Sequence, residues 1–267
     1  AQLVELQDRL KELRAQDLGV VAISYDSEKV LRDFSRRRNI TFPLLSDDDS
    51  AVITEFGILN TVAAEAVGPN RDNPDVAADA AKYVSVFGAS QMIIGTPFPG
   101  TFLLDGQGRV SSRFFEEFYR ERNTTANVML KLGKGLSPIE AVEGSPAHLK
   151  LTAYPSNPNI TVGTRFSVAI EIEPNENIHL YAPGADQMGY RVVEFTLAEV
   201  PHIRFEPVEL PDSEIYHFEP LDERVPVYQR PFRLLREAVV SGEPEAAEAL
   251  AGIDALTLTG TLNYQAC

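Results

Sequence analysis

Few side chains in this chain of 267 residues can do covalent chemistry, and the most reactive is Cys267, its one cysteine, at the end of Tyr264-Gln265-Ala266-Cys267. A thiol can be oxidised or exchanged with a disulfide, but one thiol cannot form an internal disulfide. Alone it bridges to another molecule, is oxidised, or is an incidental buried cysteine. A second group is Pro97-Phe98-Pro99-Gly100-Thr101. Proline donates no ladder hydrogen bond, so at a strand start it leaves that place open to another backbone. Asp47, Asp48 and Asp49 precede a helical pattern, where cap and dipole roles are expected of them rather than metal binding. Arg36, Arg37 and Arg38 read as a solvated helix end, favoured there by the same dipole. His148, His179, His202 and His217 show no ligand spacing, so neither a metal site nor a cofactor is expected.

The elements that must position these groups change in kind along the chain. Leu3, Leu6, Leu10 and Leu13 lie on one helical face, with Gly19 as a plausible cap. Val20–Tyr25 is a short apolar run suited to a buried strand. Asp26 or Ser27 can cap a helix carrying Val30, Leu31 and Phe34. Phe42–Leu45 is a second strand. Ser46 or Asp47 caps a helix with Val52, Ile53 and Phe56, closed by Gly57. Residues 68–74 form a loop and Val76–Phe87 a helix, within an expected insertion over about 60–95. Thr101–Asp105, a Gly106-Gln107-Gly108 turn and Arg109–Phe115 make a hairpin. Asn123 or Thr124 begins a last helix with Val128, Met129 and Leu132. The alternation is that of an α/β sheet.

The phrase LGVVAISYDSEKVLRDFSRRRNITFPLLSDDDSAVITEFGI (18–58), with GTPFPGTFLLDGQGRV (95–110), resembles the alkyl hydroperoxide reductase/thiol-specific antioxidant group, which has a thioredoxin-like fold. The resemblance covers roughly residues 1–135. It implies a strand and a redox cysteine just before the opening helix, so that this chain carries the α/β thioredoxin-like fold without its first strand. The helix N-terminus, with Ala1 and Gln2 in its first turn, would favour the thiolate. It also implies a catalytic-site role for Pro99, as a cis-proline against the active-site sulfur, and a substrate-binding role for Gly100 and Thr101. Pro97 is the competing position.

After Gly144-Ser145-Pro146 the pattern becomes short β-rich runs between Pro, Asn and Gly breaks: Leu149–Tyr154, Arg165–Ile172, Ile178–Tyr181, Val192–Leu197, Val227–Leu234 and Leu256–Tyr264, with Glu245–Ala251 a short helix or loop. Many short strands suggest a sandwich. FSVAIEIEPNENIHLYAPG (166–184), VPVYQRPFRL (225–234) and LTLTGTLNYQAC (256–267) resemble the N-terminal domain of the disulfide reductase DsbD, an all-β immunoglobulin-like sandwich. That resemblance implies a catalytic relay role for Cys267, with a partner cysteine a few residues beyond it, and an aromatic cap loop in the stretch of Tyr216 and Phe218. Two domains are thus expected, residues 1–143 and 147–267, with the chain cut at both ends beside a redox motif.

The formal net charge is −15, divided as 16 basic against 21 acidic groups over residues 1–143 and 8 against 18 over residues 144–267. This balance argues against nucleic acid, which requires clustered Lys and Arg. No apolar run approaches the length needed to span a bilayer. The two resemblances together imply a thiol–disulfide oxidoreductase or thiol-dependent peroxidase, whose partner is a thiol or disulfide redox protein or a peroxide, at a periplasmic or other extracytoplasmic site. A chain without the first cysteine would itself be inactive. A non-catalytic interaction protein built from the same two folds is the alternative.

Overall fold

The computed structural model describes residues 2–69, 71–87, 94–115, 122–133 and 141–267. The chain divides into two compact units, Ala1–Tyr119 and Arg120–Cys267.

In the first unit the leucine stripe forms α1 (Gln2–Asp8) and α2 (Leu10–Ala15), which break at Arg9. Leu3, Leu6 and Leu10 pack with Val20, Ala22, Phe34, Ile40, Phe42 and Leu44. The left-handed residue after α2 is Asp17, at φ 59°, and Gly19 lies outside that region. β1 (Ala22–Ser24) pairs in parallel with β2 (Leu44–Ser46), in the register Ala22↔Leu44. A parallel pair needs a crossover, supplied by α3 (Glu28–Arg38), which ends on Asn39 in the left-handed region. Arg36, Arg37 and Arg38 are exposed in its last turn.

Asp47 is buried because its carboxylate caps α4 (Ala51–Glu55) from outside, accepting from the backbone N–H of Val52 at 3.1 Å and of Ile53 at 2.8 Å. This is the cap role expected of the aspartate run. Gly57 closes the helix at φ 69°. Asn60 caps α5 (Thr61–Val67) by accepting from Ala63 N–H at 3.1 Å, and α6 (Pro74–Phe87) opens on a proline, which suits a helix start. β3 (Gly100–Leu104) and β4 (Val110–Phe115) form an antiparallel hairpin. Its turn is tied by Asp105, which accepts from the N–H groups of Gln107 and Arg109, each at 2.9 Å. Among the described residues no ladder joins the β1–β2 pair to the β3–β4 pair.

The second unit is largely β-sheet. It begins earlier than the composition change suggests: β5 (Arg122–Asn123) pairs with β8 (Thr164–Pro174), and the helix capped by Thr124, α7 (Thr125–Lys131), packs on β8. β6 (Val142–Gly144), β7 (Leu149–Pro155), β8, β14 (Phe232–Val240) and β11 (Ile203–Glu209) form the main sheet, in the order β11-β14-β8-β7-β6. Alternation divides β8 between two faces. Phe166, Val168, Ile170 and Ile172 enter the main core with Leu149, Leu180, Phe195, Leu234 and Val240. Ala169 points the other way, to Leu130 of α7, Tyr154 and Leu235.

Beside that core lie β9 (Leu180–Tyr181), β13 (Glu223–Tyr228) and β12 (Glu214–Phe218) in one three-stranded sheet, and β10 (Glu194–Leu197) paired with β15 (Gly260–Asn263). α8 (Pro244–Leu250) is the Ala-rich stretch. The run Val227–Leu234 is two strands, not one. It breaks between Tyr228 and Phe232, where Pro231 has no N–H to give. β11 and β12 were not expected. Pro207 interrupts the first, whose register shifts between Phe205 and Val208, and the second is mostly exposed.

Candidate functional site around Cys267

Cys267 is an exposed free thiol in the second unit. Its position is set by backbone pairing. Its N–H donates to the carbonyl of His179 at 3.1 Å, and its own carbonyl accepts from His179 N–H at 3.0 Å. Ala266 faces Leu180 as an antiparallel bridge. The final residues therefore run beside the start of β9.

Alternation along that strand puts His179 and Tyr181 on one side, where their rings meet edge-on with centroids 5.2 Å apart. Tyr181 is buried with Ala185, Val225 and Val227, against which Tyr190, Val192 and Tyr216 pack. A 3-10 turn, Ala185–Met188, bounded by Gly184 at φ 100° and Gly189 at φ 90°, returns the chain so that Tyr190 stacks on Tyr181 at 4.1 Å. L side chains rarely adopt those backbone angles. From β12, Tyr216 lies over His179 with centroids 4.7 Å apart. The Tyr190 hydroxyl donates to Glu223 at 2.8 Å.

The electrostatics follow from these contacts. Burial, then a hydrogen bond with the Cys267 side chain and the negative charge that sulfur can carry, raise the Tyr181 phenol above its usual value of 10.0. The hydrogen bond to Glu223 raises Tyr190 in the same direction. Burial lowers His179 below its usual 6.5. Near neutral pH the Tyr181 phenol is thus protonated, and the imidazole of His179, directly across from Cys267, is neutral. Such a cradle can hold a thiol or thiolate open to attack on, or by, an incoming sulfur.

The other expected site residues belong to the first unit. Phe98 N–H donates to the Ile58 carbonyl at 2.7 Å, and Pro97 bridges to Leu59. Pro99 follows, half-buried. The expected cis bond is corrected: the described residues contain no cis peptide, so Pro99 is trans, in an extended lead into β3. Gly100 faces Phe115, whose ring would lie 2.6 Å from an added Cβ. Packing therefore accounts for this glycine. Thr101 is half-buried opposite Phe114. Gln2 opens α1, and Ala1 lies outside the described residues.

The structure thus brings Pro99, Gly100 and Thr101 together at one strand start and places Cys267 in the other unit. His179, Tyr181 and Tyr190 were not anticipated as site residues, although His179 and Tyr181, two apart in a strand, carried a usable signal. Tyr216 lies in the stretch expected to cap the thiol and reaches the site through His179. Among the described residues no group of His, Cys, Asp and Glu could hold a metal ion, and no helix is long and apolar enough to cross a membrane.

Residues 1–113 match the AhpC/TSA family, so the N-terminal region carries a thioredoxin-like redoxin domain of that family. Two Mycobacterium tuberculosis proteins, each named "Putative peroxiredoxin" and coming from the strains CDC 1551 / Oshkosh and ATCC 25618 / H37Rv, are 39% identical to this chain over 56 residues. That match covers 21% of this chain and 36% of either relative, so the chain spans little more than a third of their length. No solved structure matches the chain.

Proposed function

We propose that this protein works in thiol–disulfide chemistry, as a thiol-dependent oxidoreductase or peroxidase. In this reading a redoxin unit is joined to a β-rich unit, of the DsbD N-terminal type, that exchanges disulfides through Cys267. The AhpC/TSA domain over residues 1–113 carries the reading, since that family implies thiol-dependent peroxidase or redoxin activity. The setting of Cys267 supports the second part: an exposed thiol whose residue pairs through its backbone with His179, with the rings of Tyr181 and Tyr216 beside that histidine. In the exchange step the Cys267 thiolate attacks one sulfur of a disulfide, a mixed disulfide forms, and the other sulfur leaves as a thiolate.

Residues 1–113 contain no cysteine. In the 267-residue chain, thiol chemistry therefore falls to Cys267. Peroxide consumption by the 267-residue chain, with dithiothreitol as reductant, separates the two parts. No turnover is expected, because the first unit brings no thiol, while Cys267 is expected to take up one equivalent of a reactive disulfide in the native state. Native protein whose thiol refuses every disulfide would count against the exchange role.

A further inference from the structure

An open cleft of about 580 Å³ is lined by Gly189, Tyr190, Arg191, Tyr264 and Gln265, the last of these lying two residues before Cys267. Its wall is continuous with the thiol's cradle, because Tyr190 stacks on Tyr181 and Gln265 stands two residues before Cys267. Its floor is fixed: Gln265 Oε1 accepts from Arg191 N–H at 2.9 Å, and the Gln265 carbonyl accepts from Tyr181 N–H. The Arg191 side chain takes no part in this anchoring, and it is exposed.

Charge gives the cleft its chemistry. This half of the chain is strongly acidic, and its cations are mostly neutralised in place. Lys150 pairs with Glu173, Arg165 with Glu237, Arg204 with Glu206, Arg230 with Glu214 and Arg233 with Glu171. Among the described residues no carboxylate pairs with Arg191. A guanidinium left free on the rim of an aromatic cleft offers a planar fork of donors suited to a carboxylate.

We propose that this cleft binds the carboxylate-bearing end of a low-molecular-weight disulfide or thiol of the glutathione type, with Arg191 on the carboxylate and Tyr190 and Tyr264 flanking the chain that leads to the sulfur. The proposal rests on the exchange role of Cys267 and adds its substrate class. The Cys267 thiolate attacks the near sulfur of the small disulfide, the Cys267–S–S–R bond forms, the old S–S bond breaks, and the released half leaves as R–S⁻. The small disulfide is the oxidant and Cys267 the group oxidised.

Two measurements test it. In the first, a Cys267→Ser chain, which cannot exchange, is titrated with S-methylglutathione while tyrosine ring resonances are followed by NMR. Saturable binding is expected, weakened on the order of tenfold by Arg191→Gln, as for loss of one charged hydrogen bond. In the second, mixed-disulfide formation on the native thiol is timed by mass spectrometry with glutathione disulfide and with neutral bis(2-hydroxyethyl) disulfide. Arg191→Gln should slow the glutathione reaction on the order of tenfold and leave the neutral one unchanged. No saturable binding, or binding and rates indifferent to Arg191, overturns the proposal while leaving exchange at Cys267 standing. Arg191-dependent binding with no exchange from either disulfide keeps the cleft and removes the exchange role.

Discussion

At the scale of single residues, the two candidate regions are held by different forces. Cys267 is placed by two backbone hydrogen bonds to His179, whose ring meets that of Tyr181 edge-on. Gly100, which the family resemblance points to as a substrate contact, is explained by the Phe115 ring across the hairpin. Gly100→Ala should therefore destabilise the first unit by about 1 kcal/mol or more, because relief of strand glycine entropy is outweighed by displacement of the ring. Equilibrium urea unfolding of the variant checks this, and unchanged stability would show that Phe115 moves aside freely.

At the scale of elements, α7 joins the second unit through charge as well as packing. Glu237 of β14 is buried and receives Lys131 of α7 at 2.7 Å, Asn127 of α7 at 3.2 Å and Arg165 of β8. Burial opposes its charged form, but the hydrogen bonds and charges of Lys131 and Arg165 outweigh that and hold the carboxyl below its usual 4.5. Glu237→Gln leaves two cations short of their main counter-charge, with Glu206 and Glu209 as weaker substitutes. The expected loss is about 3 kcal/mol, the lower end for a broken buried pair. The pH dependence follows from the same shift. A carboxyl with a depressed folded value contributes stability above its unfolded value, which is lost as pH falls through the folded one. The second unit should weaken as pH drops below 4.5, and Glu237→Gln should flatten that part of the profile.

In the first unit, β1 and β2 bury one face against the opening helices and leave Val21, Ile23 and Leu45 exposed on the other. Apolar residues exposed together on a sheet face favour association. Ile23→Lys should therefore lower light scattering at high protein concentration while leaving the far-ultraviolet circular dichroism unchanged.

At the scale of the whole molecule, local patterns were legible in the sequence and long-range pairings were not. The leucine stripe, most of the short strands, the Gly106-Gln107-Gly108 turn and the Thr124 cap are local, and they could be read from spacing and residue type, whereas β11 and β12 were missed. The allegiance of α7 could not, because it docks through Leu130 on Ala169 and through Lys131 on Glu237, partners far along the chain. The candidate site was legible as a residue, Cys267, and not as a surrounding, since the last residues meet His179 and Tyr181 by long-range strand pairing and Arg191 through Gln265. The cis bond expected at Pro99 came from family likeness and not from the residues, and it is one of the expectations that the backbone overturns.

The central claim is that Cys267 exchanges disulfides with help from the Tyr181 phenol on the neighbouring strand. The most direct measurement is the rate at which native protein forms a mixed disulfide with neutral bis(2-hydroxyethyl) disulfide at pH 7, for the natural chain and for Tyr181→Phe. An assisting phenol predicts reaction at Cys267 that slows several-fold in the variant. A native thiol that does not react, or one whose rate is the same with Tyr181 and with phenylalanine, would contradict it.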